Sequence, residues 1–310
     1  MTLFRGFADS HPACGGFVSI GNFDGVHLGH QQLLKALIEQ AREASLPSVV
    51  MTFEPHPIRL LRPDQEPPRL STLEEKSRLI HECGVDHVIA YPTDMGLLSL
   101  TPDEFFRRVI LEQLNARGMV EGPNFFYGKM RTGSIETLRA ECQQHSIELL
   151  VIQPELLGEK MVSSSSIRKS LASGEIVDAN FQLGRPYQLQ GRVTHGEQRG
   201  RQIGFPTANL TEIETIIPGE GVYACVATTE DGDFPAAVSV GRNPTFSGDE
   251  KKVEAHLIGF QKDLYSSMLT LKFLDRLRGQ VTFEGREQLE EQIRNDVAAT
   301  KEVVCKTLGD

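Results

Sequence analysis

Tryptophan is absent from the 310 residues, aromatic side chains make up only 7%, and the five cysteines (Cys14, Cys83, Cys142, Cys225 and Cys305) are scattered without a Cys-x-x-Cys pair. That spacing excludes a zinc ribbon and a secreted disulfide scaffold, and an odd, irregular set of thiols fits a reducing cytoplasm. No run approaches the ~20 apolar residues that cross a bilayer, and no basic start followed by an apolar signal core opens the chain. An excess of positive charge is missing too. The formal charge is −10, which argues against general nucleic-acid binding, because such binding needs cations that displace counterions from phosphates. Low-complexity tracts are also missing. What remains, with 39% hydrophobic residues, is the composition of a folded cytoplasmic protein with room for two ordinary domains and neither nucleic-acid nor membrane partners.

The first half is organised around Ser19-Ile-Gly-Asn-Phe-Asp-Gly-Val-His-Leu-Gly-His30. Phe17, Val18 and Ile20 make the short apolar run of a buried strand, and Gly21 and Gly25 punctuate it where a turn needs positive φ or room for a ligand. A helix follows, with Leu33, Leu34, Leu37, Ile38 and Ala41 at three-four spacing through Glu43. Its start carries His27 and His30, three apart and so neighbours on one face. Free amide donors, a helix dipole and two imidazoles then converge on a site suited to phosphate. Taken alone, His-x-Gly-His fits two surface histidines as well. Metal-ligand spacing is absent, since no glutamate lies between them and no cysteine pair is near.

Strands and helices alternate from there. Ser48 to Phe53, Val85 to Tyr91, Met119 to Glu121 and Glu148 to Ile152 read as strands. Thr72 with Glu75 caps one intervening helix that ends at Gly84, and Thr101 with Pro102 opens another that Gly118 closes. This pattern predicts a parallel sheet covered on both faces, with ligands beyond the carboxyl ends of its strands. The unusual residues follow those ends: Asp24 and His27, then His56 between two prolines, then Asn124 and Lys129, then the run Ser163-Ser-Ser-Ser-Ile-Arg168. His56 suits a turn or a ligand contact, Asn124 a turn cap or a ligand contact. Hydroxyls and a guanidinium at a helix start suit a triphosphate.

Beyond Gly184 the sequence changes character. Tyr187 to Val193, Gly221 to Thr228, Ala236 to Val240, Val253 to Ile258 and Leu269 to Phe273 are short β runs separated by Gly, Pro, Asp and Asn, as in a small antiparallel barrel or sandwich. Glu287 to Val304 then reads as a helix laid on it. The expected division is therefore 1–183 and 184–310. Between the first two β runs lies Gly196-Glu-Gln-Arg-Gly-Arg-Gln-Ile-Gly-Phe-Pro-Thr-Ala-Asn209, a Gly-rich basic loop that reads either as a plain hairpin or as a cover for phosphates. Thr207 and Asn209 alternate on one face of an extended segment, and neutral oxygens of that kind fit Mg²⁺ shared with nucleotide phosphates.

These motifs carry a resemblance over nearly the whole chain. Gly21-Asn-Phe-Asp-Gly-Val-His-Leu-Gly-His30, Thr52-Phe-Glu-Pro-His-Pro57, Gly122-Pro-Asn-Phe-Phe-Tyr-Gly128 and Ser163 to Arg168 resemble bacterial FAD synthetases of the His-x-Gly-His nucleotidyltransferase superfamily. Pro206-Thr-Ala-Asn209, Gly221-Val-Tyr-Ala224, Asn243-Pro-Thr-Phe246, Val253-Glu-Ala-His256, Asp263-Leu-Tyr265 and Leu277-Arg278 resemble the riboflavin kinase domain. Three departures stand out: Phe126 where the family commonly has Arg or Thr, Ser166 where it often has Arg, and Ser266 where it usually has Gly. The resemblance implies an α/β nucleotidyltransferase domain followed by an antiparallel β-barrel kinase domain with a terminal helix, acting on riboflavin, FMN and ATP with Mg²⁺.

By the same resemblance, Gly21, Phe23, Asp24, His27, His30, Ser164 and Arg168 bind ATP in the first reaction and His56 and Asn124 bind FMN. There the FMN phosphate attacks the α-phosphorus of ATP, and the two histidines stabilise charge rather than act as nucleophiles. Gly200, Gly204, Pro206, Thr207 and Asn209 bind ATP in the kinase, with Thr207 and Asn209 on the metal, Arg278 on flavin or phosphate, and Glu254 as general base. Without the motif around it, Glu254 reads as an exposed strand residue. Two other readings stay open at this stage: a flavin or nucleotide sensor without turnover, and a kinase whose first domain adenylylates a different phosphate-bearing acceptor.

Overall fold

The computed structural model describes residues 2–7, 11–153, 162–196, 200, 203–242 and 251–308. They form two compact units, Met1–Pro67 with Ser71–Val162, and Pro68–Leu70 with Ser163–Asp310. Arg199 and Arg201 of the Gly-rich loop and the Asn243-Pro-Thr-Phe246 motif lie outside the described residues.

In the first unit, β1 (Thr2–Arg5), β2 (Phe17–Ile20), β3 (Ser48–Glu54), β4 (His87–Pro92), β5 (Gly118–Glu121) and β6 (Glu148–Val151) form one sheet in the order β1-β4-β3-β2-β5-β6. Every pair in it is parallel. The connecting helices are α1 (Leu28–Glu43), α2 (Pro57–Leu61), α3 (Leu73–Glu82), α4 (Met95–Ser99), α5 (Pro102–Phe105, continued by a π-helix over Phe106–Gln113) and α6 (Ile135–Gln144). Period-two alternation sends strand residues to two cores. Val18, Ile20, Val49 and Met51 pack with Phe106, Ile110 and Leu138, whereas Phe17, Val50 and Val88 pack with Leu34, Leu37 and Ile80. Strand β1 was not expected. Four residues of mixed polarity carry too little periodicity to be read, and β1 exists through its register with β4, Leu3 opposite Val88 and Phe4 opposite Ile89.

From β2 the chain first builds outward through β3 and β4, then returns to the other side for β5 and β6, so the strand order reverses between β2 and β5. Such a switch point opens a crevice at the strand ends. Here the opening is visible in the register: β2 and β5 pair only at Phe17–Gly118 and Val18–Met119. Two positions later the ladder is replaced by a side chain, and the Ile20 N–H donates to Glu121 Oε1 at 2.8 Å.

In the second unit, α7 (Ser164–Ser173) and α8 (Ile176–Leu183) precede six strands: β7 (Tyr187–Thr194), β8 (Ala208–Thr211), β9 (Gly221–Thr229), β10 (Gly232–Arg242), β11 (Lys251–Leu257) and β12 (Met268–Arg278). They close a barrel in the order β10-β11-β8-β7-β12-β9, a closure that leaves no open sheet edge. Strand β8 is the one the sequence left as an extended segment, and it completes the ring by pairing with β7 and β11. The C-terminal helix Arg286–Leu308 packs Val304 on Val226 and Leu274.

Candidate active sites

The loop after β2 is strained, with left-handed φ at Phe23 (47°), Gly25 (81°) and Val26 (40°). For a β-branched residue such as Val26 that conformation is a genuine outlier, and surrounding contacts must hold it. They do. Asp24 Oδ1 accepts from the Ser71 N–H at 3.2 Å and from its hydroxyl at 3.3 Å, while Ser71 Oγ accepts the Gly25 N–H at 3.2 Å. Asp24 is thus an anchor of the loop. Phe23 is buried against Gly21, where a Cβ would come within 3.1 Å of its ring.

The loop delivers both histidines to the start of α1. His27 is the N-cap, its Nδ1 accepting the His30 N–H at 3.3 Å, and the two rings stack 3.7 Å apart at 16°. Phe23 lies 5.1 Å from the His30 ring on another side. Burial, then the neighbouring His27 and Lys76, hold the His30 imidazole well below its usual range, so it is neutral at pH 7. Among the described residues its Nδ1 is buried with no hydrogen-bond partner. Lys76, from α3, is itself buried and donates from Nζ to Thr52 Oγ1 at 3.2 Å, and Thr52 Oγ1 donates in turn to the Asn22 carbonyl at 3.1 Å.

Gly21 also lines a cavity of about 390 Å³ with Asn22, Phe53, His56, Asn124 and Phe125. His56 caps α2, its Nδ1 accepting the Ile58 N–H at 3.1 Å, so it serves the turn and faces the cavity at once. Aromatic walls come from Phe53, Phe125, Phe126 and Tyr127, with Phe125 and Tyr127 near-parallel at 5.5 Å. The wall suits a flat ring system.

In the barrel, Glu254, Thr207, Gly200, Ser239, Lys252 and Arg278 line a cavity of about 290 Å³. Glu254 stands opposite Asn209 on β8 and opposite Ser239 on β10 in the ladder, and Lys252 Nζ approaches its Oε1 at 2.8 Å. Thr207 also lines a second cavity, of about 400 Å³, with Pro206, Phe260 and Tyr265. Thr207 is therefore common to two openings. Asn209 is buried, and its Oδ1 has no hydrogen-bond partner among the described residues. Gly196 passes so close that a Cβ there would lie 2.1 Å from Asn209 Nδ2. The Pro206 carbonyl meets His256 Nδ1 at 2.8 Å, Gly204 is left-handed at φ 84°, and the Gly200 carbonyl accepts from Phe205 N–H at 2.8 Å.

The family model for FAD synthetase matches residues 10–166, and that for riboflavin kinase matches residues 183–304. Curated relatives named bifunctional riboflavin kinase/FMN adenylyltransferase include one from Escherichia coli K12, 34% identical over 97% of both chains, and one from Pseudomonas fluorescens, 36% identical over 97% of both. The chain belongs to the bifunctional riboflavin kinase/FMN adenylyltransferase family. A Streptococcus pneumoniae crystal structure, named there a macrolide-efflux protein, superposes with a TM-score of 0.87 at 30% identity over 97% of this chain and 98% of that one. Among the described residues no helix is long and apolar enough to cross a membrane.

Family membership makes the three departures informative. Ser266 occupies the left-handed region at φ 65°, the conformation that glycine adopts at no steric cost. Phe126 lies under the Arg131 guanidinium, 5.0 Å from its ring centroid, so a cation reaches the same cavity rim from another position. Ser166 is turned into the second unit. It completes a capping box with Ser163, and its hydroxyl donates to Gln182 Oε1 at 2.5 Å. Ser166→Arg should therefore destabilise this unit by about 1 kcal/mol, the usual worth of a cap. An unchanged denaturation midpoint would show that the cap carries no weight.

Two other sequence expectations meet competing contacts. Arg168 Nε donates to the Pro68 carbonyl at 2.7 Å, and Ser164 is the first residue of α7. Arg278 is held by the Asp296 carboxylate, with Nε–Oδ1 at 3.0 Å and Nη2–Oδ2 at 2.7 Å. Its Nη1 donates to the Gly279 carbonyl at 3.0 Å, so the guanidinium is fixed on both sides where Arg278 lines the cavity. Missing from the sequence reading altogether were Lys76 and Glu121. Burial pushes the Glu121 carboxyl well above its usual range, and it sits at the β2–β5 opening. A lysine inside a helix stripe and a glutamate inside a strand were the available signals, and neither points to a partner without the tertiary structure.

Proposed function

We propose that FMN is adenylylated in the crevice after β2 and that riboflavin is phosphorylated in the barrel, with the functional division at residues 183 and 184. The protein is a bifunctional transferase that converts riboflavin to FMN and FMN to FAD, with ATP as co-substrate of both steps, and its setting is the cytoplasm. The observation that supports the first assignment is the stacked His27–His30 pair, with a buried His30 Nδ1 that has no partner among the described residues, beside a strained loop at the switch point. In that step a phosphate oxygen of FMN bonds to the α-phosphorus of ATP, the bond to the β-phosphate oxygen breaks, and pyrophosphate leaves. His27 and His30 stabilise the charge on the phosphorus oxygens. The aromatic cavity beside Gly21 takes the flavin, with His56 and Asn124 on its polar side.

In the kinase, Glu254 takes the proton of the ribityl hydroxyl as that oxygen attacks the γ-phosphorus, and ADP leaves. Thr207 and Asn209 supply neutral oxygens of the kind Mg²⁺ prefers, and the orphaned Asn209 Oδ1 fits such a ligand. When bound, Mg²⁺ neutralises charge on the β- and γ-phosphate oxygens. Arg278 borders the flavin side, and the Gly200 and Gly204 backbone with Pro206 borders the nucleotide side. Incubating the protein with riboflavin and Mg-ATP and separating the flavins by chromatography tests the whole reading. FMN followed by FAD is expected, and FMN alone would sink the first assignment.

Asn209→Ala separates metal binding from proton transfer. It should raise the KM for Mg-ATP in riboflavin phosphorylation and lower turnover, with part of the loss recovered at higher Mg²⁺. Steady-state kinetics over a Mg²⁺ series decide, and a variant indifferent to Mg²⁺ would remove Asn209 from the metal site.

A further inference from the structure

Lys76 is separated from the His-x-Gly-His stretch by 46 positions and lies in the middle of α3, on a face that otherwise buries Leu73, Leu79 and Ile80. An ammonium in such a place is costly to desolvate, by several kcal/mol when unbalanced. Only 7% of Lys76 is exposed. Its Nζ reaches Thr52 Oγ1, which holds the Asn22 carbonyl, and Asn22 is the residue between Gly21 and the strained Phe23. The Thr52 hydroxyl thus ties the loop to β3, the ammonium fixes that hydroxyl from α3, and it stands close enough to act electrostatically on the His30 ring. Three basic groups from α3 and the start of α1, one of them with an imidazole nitrogen that has no partner among the described residues, describe a polyphosphate environment better than a packing accident.

On the assignment of adenylyl transfer to this crevice, we propose that Lys76 is a positioning residue for that reaction, fixing the Asn22 carbonyl through Thr52 and supplying buried positive charge behind His30 to the nucleotide's phosphates. Its electrostatic role distinguishes it from a residue that merely fills space. Methionine has a similar length and no charge, and arginine keeps the charge with a different head.

The test compares Lys76→Met, Lys76→Arg and His30→Ala in the full chain, following FAD formation from FMN and, as a check on folding, FMN formation from riboflavin. Lys76→Met should lower kcat/KM for FAD formation roughly tenfold to a thousandfold, within the range for lost preorganised charge, and leave riboflavin phosphorylation within twofold. Lys76→Arg should recover part of the loss. The imidazole resonance missing from His30→Ala identifies His30, and in Lys76→Met its titration midpoint should move upward, because the positive neighbour that depresses it is gone. Should Lys76→Met fail to fold, Thr52→Val, which cuts the tether and keeps the charge, should still weaken FAD formation. The proposal is overturned if His30→Ala loses FAD formation while Lys76→Met keeps it within twofold and the His30 midpoint stays put. If His30→Ala also keeps FAD formation, the assignment of this crevice falls, and the Lys76 proposal with it.

Discussion

Glu254→Gln is expected to lower kcat for riboflavin phosphorylation by roughly two to four orders of magnitude, the range for a positioned general base, with little change in the KM for Mg-ATP. The carboxylate lines the barrel cavity and Lys252 Nζ lies 2.8 Å from its Oε1. Glutamine keeps the shape and a hydrogen-bond acceptor but cannot take a proton. The register that places Glu254 opposite Asn209 sets the base beside the neutral oxygens assigned to the metal. Loss in kcat alone therefore identifies proton transfer, and loss in KM with recovery by Mg²⁺ identifies the metal site. FAD formation from supplied FMN should be unchanged, since it belongs to the other unit. A variant with near-normal kcat would rule out the base assignment.

His30→Ala should have the mirror-image result: FAD formation from FMN reduced by roughly two to three orders of magnitude, the scale for one preorganised charge-stabilising group, with riboflavin phosphorylation retained. The imidazole is stacked on His27, walled by Phe23 and kept neutral by burial and by two basic neighbours. Preorganisation is thus completed before substrate arrives. Alanine removes the ring and leaves the α1 amides and the His27 cap, so residual activity reports what the helix start does alone. Chromatographic rates of both steps in one preparation check this, and equal loss of both activities in a folded variant would contradict separate sites.

Much of the architecture was written in short-range pattern. Alternating apolar runs announced the parallel sheet, the Gly-Pro-Asn punctuation beyond Gly184 announced a small antiparallel barrel or sandwich, and Thr72 does cap its helix by accepting the Glu75 N–H. The structure stacks His27 on His30, brings His56 and Asn124 to one cavity and Glu254 and Thr207 to another, and glycines, prolines and motif spacing are what singled these residues out. Strand β1 and strand β8 escaped, because four residues carry too little periodicity and each exists only through its neighbour's register. The inward turn of Ser166 and the capture of Arg278 by Asp296 escaped for a related reason, since each depends on a partner from a different helix.

Local pattern in the chain was enough for the order of two domains and for the family, because these depend on residues within a few positions of one another. Tertiary structure alone decided that β2 and β5 part after two paired positions, that Glu121 is buried in the gap with its carboxyl pushed up, and that Lys76 reaches the Asn22 carbonyl through Thr52. Ladder registers and buried charges bring together residues dozens of positions apart. Their energies come from desolvation and packing in the finished fold, and no local pattern in the chain encodes them.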